Sequence, residues 1–254
     1  MKYLIVVFVA FTILGCKNKN DSQVEILTAN QIIDKSIEVS GGEKFGNSDI
    51  GFKFRDKSYA AKRNNGDFLL LRAAVENSND SIFDVLTNDG FRRFINDEVA
   101  VLEDSIASNY TASVNSVHYF SVLPYGLNDK AVKKELIGEE RIDNHAYHKI
   151  KVTFSETGGG EDYEDEFIYW INQETFKLEY LAYSYNESDG KGMRFRKAYN
   201  ERYINGLRFV DYNNYKTEDK SVSLTEMGKA FEADKLTLLS TIQLNDVTVD
   251  LLNN

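Results

Sequence analysis

Apolar and polar positions alternate along most of the chain from residue 50 onward. Ile50, Phe52 and Phe54, for example, are separated by single small or charged residues. A repeat of two residues is typical of a β-strand that buries one face. Stretches with this repeat, or with a short continuous apolar run, are residues 50–55, 58–63, 68–75, 82–87, 91–95, 132–141, 147–154, 167–171, 176–185, 193–203 and 207–215, with one or two further strands in 236–251.

Short turns rich in Asn, Asp and Gly separate these predicted strands. Asn88-Asp89-Gly90 and Asn205-Gly206 are two of them, and residues of these types tolerate a left-handed backbone. Strands joined by tight turns pair in an antiparallel manner, because a parallel pair needs a crossover of about a dozen residues or more. The sequence therefore predicts an antiparallel, meandering sheet.

Helical spacing replaces the strand pattern in three places. A first helix is predicted after Thr28 or Asn30, either of which can cap it, and Gly41-Gly42 is expected to end it. A second helical region covers residues 97–123, read as one broken helix or two short ones. The chain's single proline, at position 124, is expected to stop it. A short third helix is predicted at residues 226–235.

The predicted fold class is mainly β with a few helices, in a single domain over residues 29–254. About ten strands in one sheet tend to coil, because the strand twist accumulates from one strand to the next. The helical region at 97–123 is placed to cover the concave face of such a sheet. We therefore expect a curved antiparallel sheet that forms an open half-barrel around a helical plug.

The amino terminus has the features of an export signal. Lys2 precedes an apolar run at residues 4–14, too short for a membrane-spanning helix, and Gly15-Cys16 follows. This arrangement resembles the lipobox of bacterial lipoproteins, which implies cleavage after residue 15 and lipid attachment at Cys16. An ordinary signal peptide that happens to contain a cysteine is the alternative. Residues 16–28 are then the acylated cysteine and a polar, flexible tether.

Composition is consistent with an exported, lipid-anchored protein. Cys16 is the only cysteine, so no disulfide supports the domain, and acylation accounts for the lone thiol. A net charge of −10 disfavours nucleic-acid binding and leaves membrane attachment to the acyl chains. Lys17 after the cysteine, by analogy with lipoprotein sorting in Gram-negative bacteria, indicates the outer membrane facing the periplasm, with the cell surface as the alternative. We expect a monomer.

The order of elements resembles the lipoprotein carriers of the LolA and LolB type. These have an open antiparallel half-barrel with helices on its concave face, which shields acyl chains. The segments Tyr169-Trp170-Ile171-Asn172 and, over residues 194–200, Arg-Phe-Arg-Lys-Ala-Tyr-Asn are also similar to those of uncharacterised Gram-negative lipoproteins of this length. The resemblance to the carriers implies lipid holding over residues 28–250. The resemblance does not imply that this chain shuttles lipids between membranes as the soluble carriers do, because the lipobox indicates that the chain is itself anchored.

Aromatic residues are dense between positions 147 and 215 and suggest a groove for an apolar ligand. The alternative is that they simply fill the core. Arg194 and Arg196 lie two apart on one strand and share a face, where they can hold a phosphate or carboxylate or pair with nearby acids. The candidate ligand-binding residues are Trp170, Tyr180, Tyr183, Phe195, Tyr199, Phe209, Arg194 and Arg196.

Signals for metal binding or catalysis are weak. His145 and His148 point to opposite faces of a strand, and the acidic loop Gly158–Glu166 lacks a regular calcium-ligand spacing. His118 lies on the apolar side of the helical region, typical of a hydrogen-bonded packing residue. No Gly-x-Ser-x-Gly motif or phosphate-binding glycine loop occurs. We predict no catalytic residue, no metal and no cofactor.

Three functional hypotheses follow, in this order. The first is a membrane-anchored lipoprotein that binds a lipid or other apolar ligand in a concave groove without catalysis. The second is an interaction or structural protein of the envelope with a filled core. The third is a hydrolase of unknown substrate, which requires a histidine, a carboxylate and a nucleophile in contact.

Overall fold

The structure, a computed structural model, describes residues 27–75, 80–157, 164–187 and 190–252. The proposed signal peptide, Cys16 and nearly all of the tether lie outside these ranges. The helices are α1 (Ala29–Ser40), α2 (Asp104–Ser121) and α3 (Met227–Glu232), with short 3-10 helices at Gly42–Gly46 and Leu224–Glu226. The strands are β1 (Asn47–Phe54), β2 (Lys57–Asn64), β3 (Asp67–Val75), β4 (Ser81–Thr87), β5 (Gly90–Ile95), β6 (Glu98–Val99), β7 (Val132–Ile142), β8 (His145–Phe154), β9 (Glu166–Asn172), β10 (Leu178–Glu187), β11 (Gly190–Ile204), β12 (Leu207–Lys216), β13 (Thr237–Ile242) and β14 (Asn245–Leu251).

The strands form two seven-stranded antiparallel sheets. Sheet A has the order β14-β1-β2-β3-β4-β5-β6, and sheet B has the order β13-β12-β11-β10-β9-β8-β7. The predicted mainly β, antiparallel class with a few helices is confirmed, and neither sheet closes on itself. The expectation of one sheet of about ten strands is wrong, because the strands divide between two sheets.

The chain passes from sheet A to sheet B through α2, between β6 and β7, and returns to sheet A between β13 and β14. β13 pairs with β12 in sheet B, whereas β14 pairs with β1 in sheet A. The crossing is held by Asp211, whose Oδ1 accepts a hydrogen bond from the Leu244 backbone amide at 3.0 Å. Arg202 bonds both Asp211, at 3.1 Å, and the Leu244 carbonyl, at 2.6 Å. Polar groups buried at the crossing are thereby satisfied.

Local signals at element ends are confirmed. Thr28 caps α1 in a capping box with Gln31, whose side-chain oxygen accepts from the Thr28 amide at 2.8 Å. Gly41 ends this helix with a φ of 132°, a value that favours glycine. The hairpin turn at Asn205-Gly206 has positive φ at both residues, as the sequence predicts. Predicted strand limits differ from the observed ones by three residues or fewer.

The helical region at residues 97–123 is shorter and simpler than predicted. α2 is one continuous helix, and it begins only at Asp104 because Glu98–Val99 pair with β5 as strand β6. Its carboxyl-terminal half contacts both sheets. Phe120 packs on Phe54 of sheet A with ring centroids 5.5 Å apart, and the Tyr119 hydroxyl bonds that of Tyr169 in sheet B at 2.9 Å.

Sheet B is buried on both faces. One face joins α1, α2 and sheet A in the main core, which includes Tyr169, Leu181 and Tyr212. The other face is covered by α3 and its flanking residues. In the part of the chain that the structure describes, no helix has the length and apolar character needed to cross a bilayer.

We expect Gly228→Ala to lower the free energy of unfolding by about 1–3 kcal/mol, the usual effect of overpacking. An added Cβ would lie 3.0 Å from Trp170 Cζ2 and still closer to Glu140 Oε1. Glu140 cannot easily move, since it forms a buried ion pair with Lys149 at 2.6 Å.

Gly46→Ala is the matched control for this substitution, measured by chemical denaturation. Among the described residues, its Cβ would meet the Tyr125 hydroxyl oxygen at 3.5 Å, an ordinary contact. A change below about 1 kcal/mol is expected there. Equal losses at the two glycines would contradict tight packing of α3 on sheet B.

Candidate ligand-binding cavity

A cavity of about 760 Å³ lies between α2, sheet B and strands β1 to β4 of sheet A. α2 contributes one wall through residues 111–120, and every strand of sheet B except β7 contributes at least one lining residue. Pockets of about 300–1,000 Å³ are the usual size for small-molecule ligands. The cavity is therefore large enough to hold a small amphiphile.

Much of the cavity wall is aromatic. Phe154 of β8 and Phe167 of β9 line it from sheet B, with ring centroids 5.8 Å apart. Phe54 and Phe120 line it from sheet A and α2. These positions follow from the alternation of β8 and β9, which sends every second side chain toward α2.

A polar row borders the same cavity. Arg196 of β11 lies directly opposite Asn214 of β12, and Asn214 lies opposite Ser240 of β13. Asn214 Nδ2 donates to Ser240 Oγ at 3.2 Å. Arg196 Nε and Asn214 Oδ1 are buried, and neither has a hydrogen-bond partner among the described residues. The row thus presents one unused donor and one unused acceptor, and unpaired buried groups of this kind are uncommon.

Arg196 is held among aromatic rings. Its Nη2 donates to the Tyr183 hydroxyl at 2.9 Å, and its guanidinium carbon lies 4.9 Å from the Tyr183 ring centroid. The Phe120 ring centroid is 5.1 Å away. Cation–π contacts of this type orient a guanidinium but leave its charge uncompensated. Within the described ranges Arg196 forms no ion pair with a carboxylate.

A buried ionic row anchors α2 to sheet A. Arg72, Asp84 and Arg93 lie side by side on β3, β4 and β5. Arg72 donates to Asp84 from Nε at 2.9 Å and from Nη2 at 2.7 Å, and its Nη1 donates to Ser113 of α2 at 2.6 Å. Arg93 Nε is 3.5 Å from Asp84 Oδ1. Arg72 also lines the cavity.

The histidines are placed for packing. His118 is buried, its Nε2 donates to the Leu71 carbonyl at 3.1 Å, and burial lowers its pKa to about 4. His148 stacks on Phe176, with its Nδ1 3.8 Å from Glu139, and burial lowers the pKa of His148. His145 is exposed. Over the described segments no histidine lies within hydrogen-bond distance of a carboxylate.

Metal-binding groups are not brought together in the described ranges. These residues contain no cluster of three His, Cys, Asp or Glu side chains suited to a metal ion. Positions 158–163 of the acidic loop, where a calcium site is conceivable from sequence, lie outside those ranges. Glu166, at the end of that loop, forms an ion pair with Lys151 at 2.9 Å.

Of the eight predicted ligand-binding residues, Tyr183 and Arg196 line the cavity. Arg194 shares the face of Arg196, as predicted from spacing, but its guanidinium lies 5.0 Å from the Tyr185 ring and is not part of the cavity lining. Phe209 packs in the main core with its ring centroid 6.4 Å from that of Phe45.

The other four predicted residues also lie outside the cavity lining. Trp170, Tyr180 and Phe195 are on the opposite face of sheet B, where Phe195 stacks on Phe231 at 5.1 Å. Tyr180 and Tyr199 border a separate cavity of about 240 Å³. The Tyr199 hydroxyl accepts from the side chain of Gln243 at 3.1 Å.

Sequence reasoning missed several lining residues, because only strand pairing reveals them. Phe154 and Phe167 were assigned to strands but not to a site, although alternation places both on the face that carries Ile150 and Val152. Nothing in the sequence around Asn214 indicates a ligand-binding role. Its place beside Arg196 depends on the register of β11 and β12.

Fold and cavity together define a class of protein: two open antiparallel sheets that enclose an amphipathic cavity against one helix. The chain belongs to the family of unknown function DUF6503, whose model matches residues 3–244. Comparison with curated proteins finds no match.

Solved structures with a similar arrangement come from several bacteria. A LolA superfamily protein from Nitrosomonas europaea is 13% identical, with a TM-score of 0.48 over 90% of this chain and 95% of that one. A DUF1329 family protein from Desulfovibrio piger is 9% identical, with a TM-score of 0.47 over 89% and 94%. The lipoprotein LppX of Mycobacterium tuberculosis is 13% identical, with a TM-score of 0.28 over 63% and 88%. None of these likenesses assigns a ligand or an activity to the chain.

Proposed function

We propose that this protein is a lipid-anchored envelope protein that binds a lipid or other apolar ligand in the cavity against α2, without catalysis. The cavity itself carries the proposal. Its wall of Phe54, Phe120, Phe154 and Phe167 offers apolar surface to a ligand, and burial of such surface favours binding by about 25 cal/mol per Å². The lipobox at Cys16 supports an anchored form, held in the outer membrane and facing the periplasm.

The other two hypotheses have less support. An envelope protein with a filled core has no reason to keep about 760 Å³ of space beside an aromatic wall. A hydrolase needs a histidine hydrogen-bonded to a carboxylate and a nucleophile. The carboxylate near His148, that of Glu139, is 3.8 Å from its Nδ1, which is beyond hydrogen-bond distance. Ligand binding in the cavity is thus the function that the geometry favours.

Photocrosslinking tests the proposal with the full-length chain in its membrane. The probe is a monoacylglycerol with a diazirine in its acyl chain. We expect crosslinks on peptides that contain Phe154 or Phe167. Ala112→Trp places an indole in the cavity wall and is expected to reduce this labelling about tenfold, a loss of about 1.4 kcal/mol in binding.

Asn109→Trp is the matched control, since Asn109 lies on the same helix, exposed and outside the cavity lining. Its labelling should equal that of the wild type. Unfolding midpoints establish that both variants are folded. Crosslinks confined to the outer surface, or undiminished in folded Ala112→Trp, would show that the cavity is not the binding site.

A further inference from the structure

We infer that the ligand of this cavity is an amphiphile with an anionic head group, a carboxylate or a phosphate, which Arg196 binds. The inference rests on the proposed function and specifies the chemical class of the ligand. The row formed by Arg196, Asn214 and Ser240 supplies the head-group site, and the aromatic wall receives the acyl chain.

The first support is the uncompensated charge of Arg196. Among the described residues, its buried Nε has no hydrogen-bond partner, and its one hydrogen bond to a side chain is to the Tyr183 hydroxyl. Arg196 is partly buried, and a buried N–H group that lacks an acceptor is costly. Arginine also presents parallel N–H donors that match the two oxygens of a carboxylate or phosphate. A bound anion supplies both the acceptor and the negative charge that Arg196 lacks, whereas a neutral head group supplies no negative charge.

The second support is the balance of charge around the cavity. The protein as a whole carries a net charge of −10. Its cavity has the opposite bias, since four cationic side chains line it, Arg55, Lys57, Arg72 and Arg196, against two acidic ones, Asp56 and Asp165.

Two of those cations already have partners. Lys57 pairs with Asp56 at 3.0 Å, and Arg72 pairs with Asp84 at 2.7 Å. The third, Arg55, is an exposed residue of the turn between β1 and β2. Arg196 is thus the part-buried lining cation without an ion pair among the described residues. A local excess of positive charge in an acidic protein concentrates anions at that point.

The third support is the relative position of the polar row and the aromatic wall. Arg196 on β11 and Phe167 on β9 line one cavity from strands two places apart, a separation of about 10 Å across the sheet. A head group at Arg196 therefore directs its acyl chain toward Phe167 and Phe154. Both ends of an amphiphile have matching surfaces in a single cavity.

Asn214 Oδ1 adds a second preference. It is buried, accepts no hydrogen bond from the described residues and lies on the strand next to Arg196. A phosphate head group that also carries a glycerol hydroxyl can satisfy both Arg196 and Asn214. A fatty acid carboxylate satisfies Arg196 alone, so the two sources of the anion are distinguishable by affinity.

The test compares three photoreactive probes on the full-length chain in membranes. They share one diazirine acyl chain and carry a carboxylate, a phosphoglycerol or a neutral glycerol head group. We expect the two anionic probes to label cavity peptides at concentrations about tenfold lower than the neutral probe. Arg196→Met is expected to abolish this preference while labelling by the neutral probe persists, and Arg196→Lys to retain part of it.

Arg194→Met is the matched control, since Arg194 lies on the same strand and face but outside the cavity lining. It should keep the anionic preference. Equal labelling by charged and neutral probes, or a preference that survives in Arg196→Met, would overturn the inference and leave apolar binding intact. Failure of all three probes to label the cavity would instead remove the proposed function, and this inference with it.

Discussion

Replacing Asp84 with asparagine is expected to lower the free energy of unfolding by about 3–5 kcal/mol, the cost of breaking a buried ion pair by removing one partner. Asp84 is 1% exposed and accepts two hydrogen bonds from Arg72, with Arg93 3.5 Å away. Asparagine keeps the shape but removes the charge. Both buried guanidinium groups then lose their shared counter-charge, and the Arg72 contact with Ser113 that holds α2 is weakened.

Asp246→Asn provides the control for this prediction. Asp246 pairs with Lys53 at 2.9 Å, but the two side chains are 68% and 60% exposed. Exposed pairs contribute about 0–1 kcal/mol, and asparagine tolerates the positive φ of 52° at this position. Urea denaturation of the three proteins measures the difference. If both variants lose the same small amount, the buried row does not stabilise sheet A as described.

Acid is expected to destabilise the protein through His118, by on the order of 3 kcal/mol between pH 6.5 and pH 4. Burial lowers the pKa of His118 from 6.5 to about 4, and Arg63 and Arg72 oppose a further positive charge. In this window the unfolded chain binds a proton at His118 that the folded protein excludes. The stability that neutral, buried His118 contributes is therefore fully present above pH 6.5 and is lost as the pH falls toward 4.

His118→Gln isolates this effect from that of the carboxylates. The glutamine amide can still donate to the Leu71 carbonyl but does not titrate. Free energies of unfolding at a series of pH values should fall less steeply in this variant than in the wild type. The exposed His145 supplies a matched histidine-to-glutamine control, for which the wild-type dependence is expected. Parallel curves for wild type and His118→Gln would disprove the role given to His118.

Local signals in the sequence were sufficient to predict most elements of the fold. Alternating side chains marked the long strands, and the Thr28 cap and the Asn205-Gly206 turn marked ends where backbone geometry is set by one or two residues. Such features depend on neighbours along the chain, so a single sequence reveals them. Membership of sheet A or sheet B depends on pairing between distant strands, which is why the crossing at Leu244 was not predicted.

The candidate site was harder to predict because both faces of sheet B are buried. In β9, Trp170 and Tyr169 point to opposite faces and are equally inaccessible to solvent. Alternation separates the two faces but does not indicate which one borders a cavity. Tyr183 and Arg196 were therefore predicted together with Trp170, Tyr180 and Phe195, which α3 covers from the other side.

The pairing of β1 with β14 has a consequence for how the chain matures. Ile50 lies opposite Val249, so β1 cannot complete its pairing until β14, one of the last segments to be synthesised, is available. Until then β1 presents an unpaired edge, the kind of surface at which chains associate with one another. Contacts so distant in sequence also slow folding. We therefore expect newly made chains to depend on chaperones that delay aggregation until residues 245–251 have emerged.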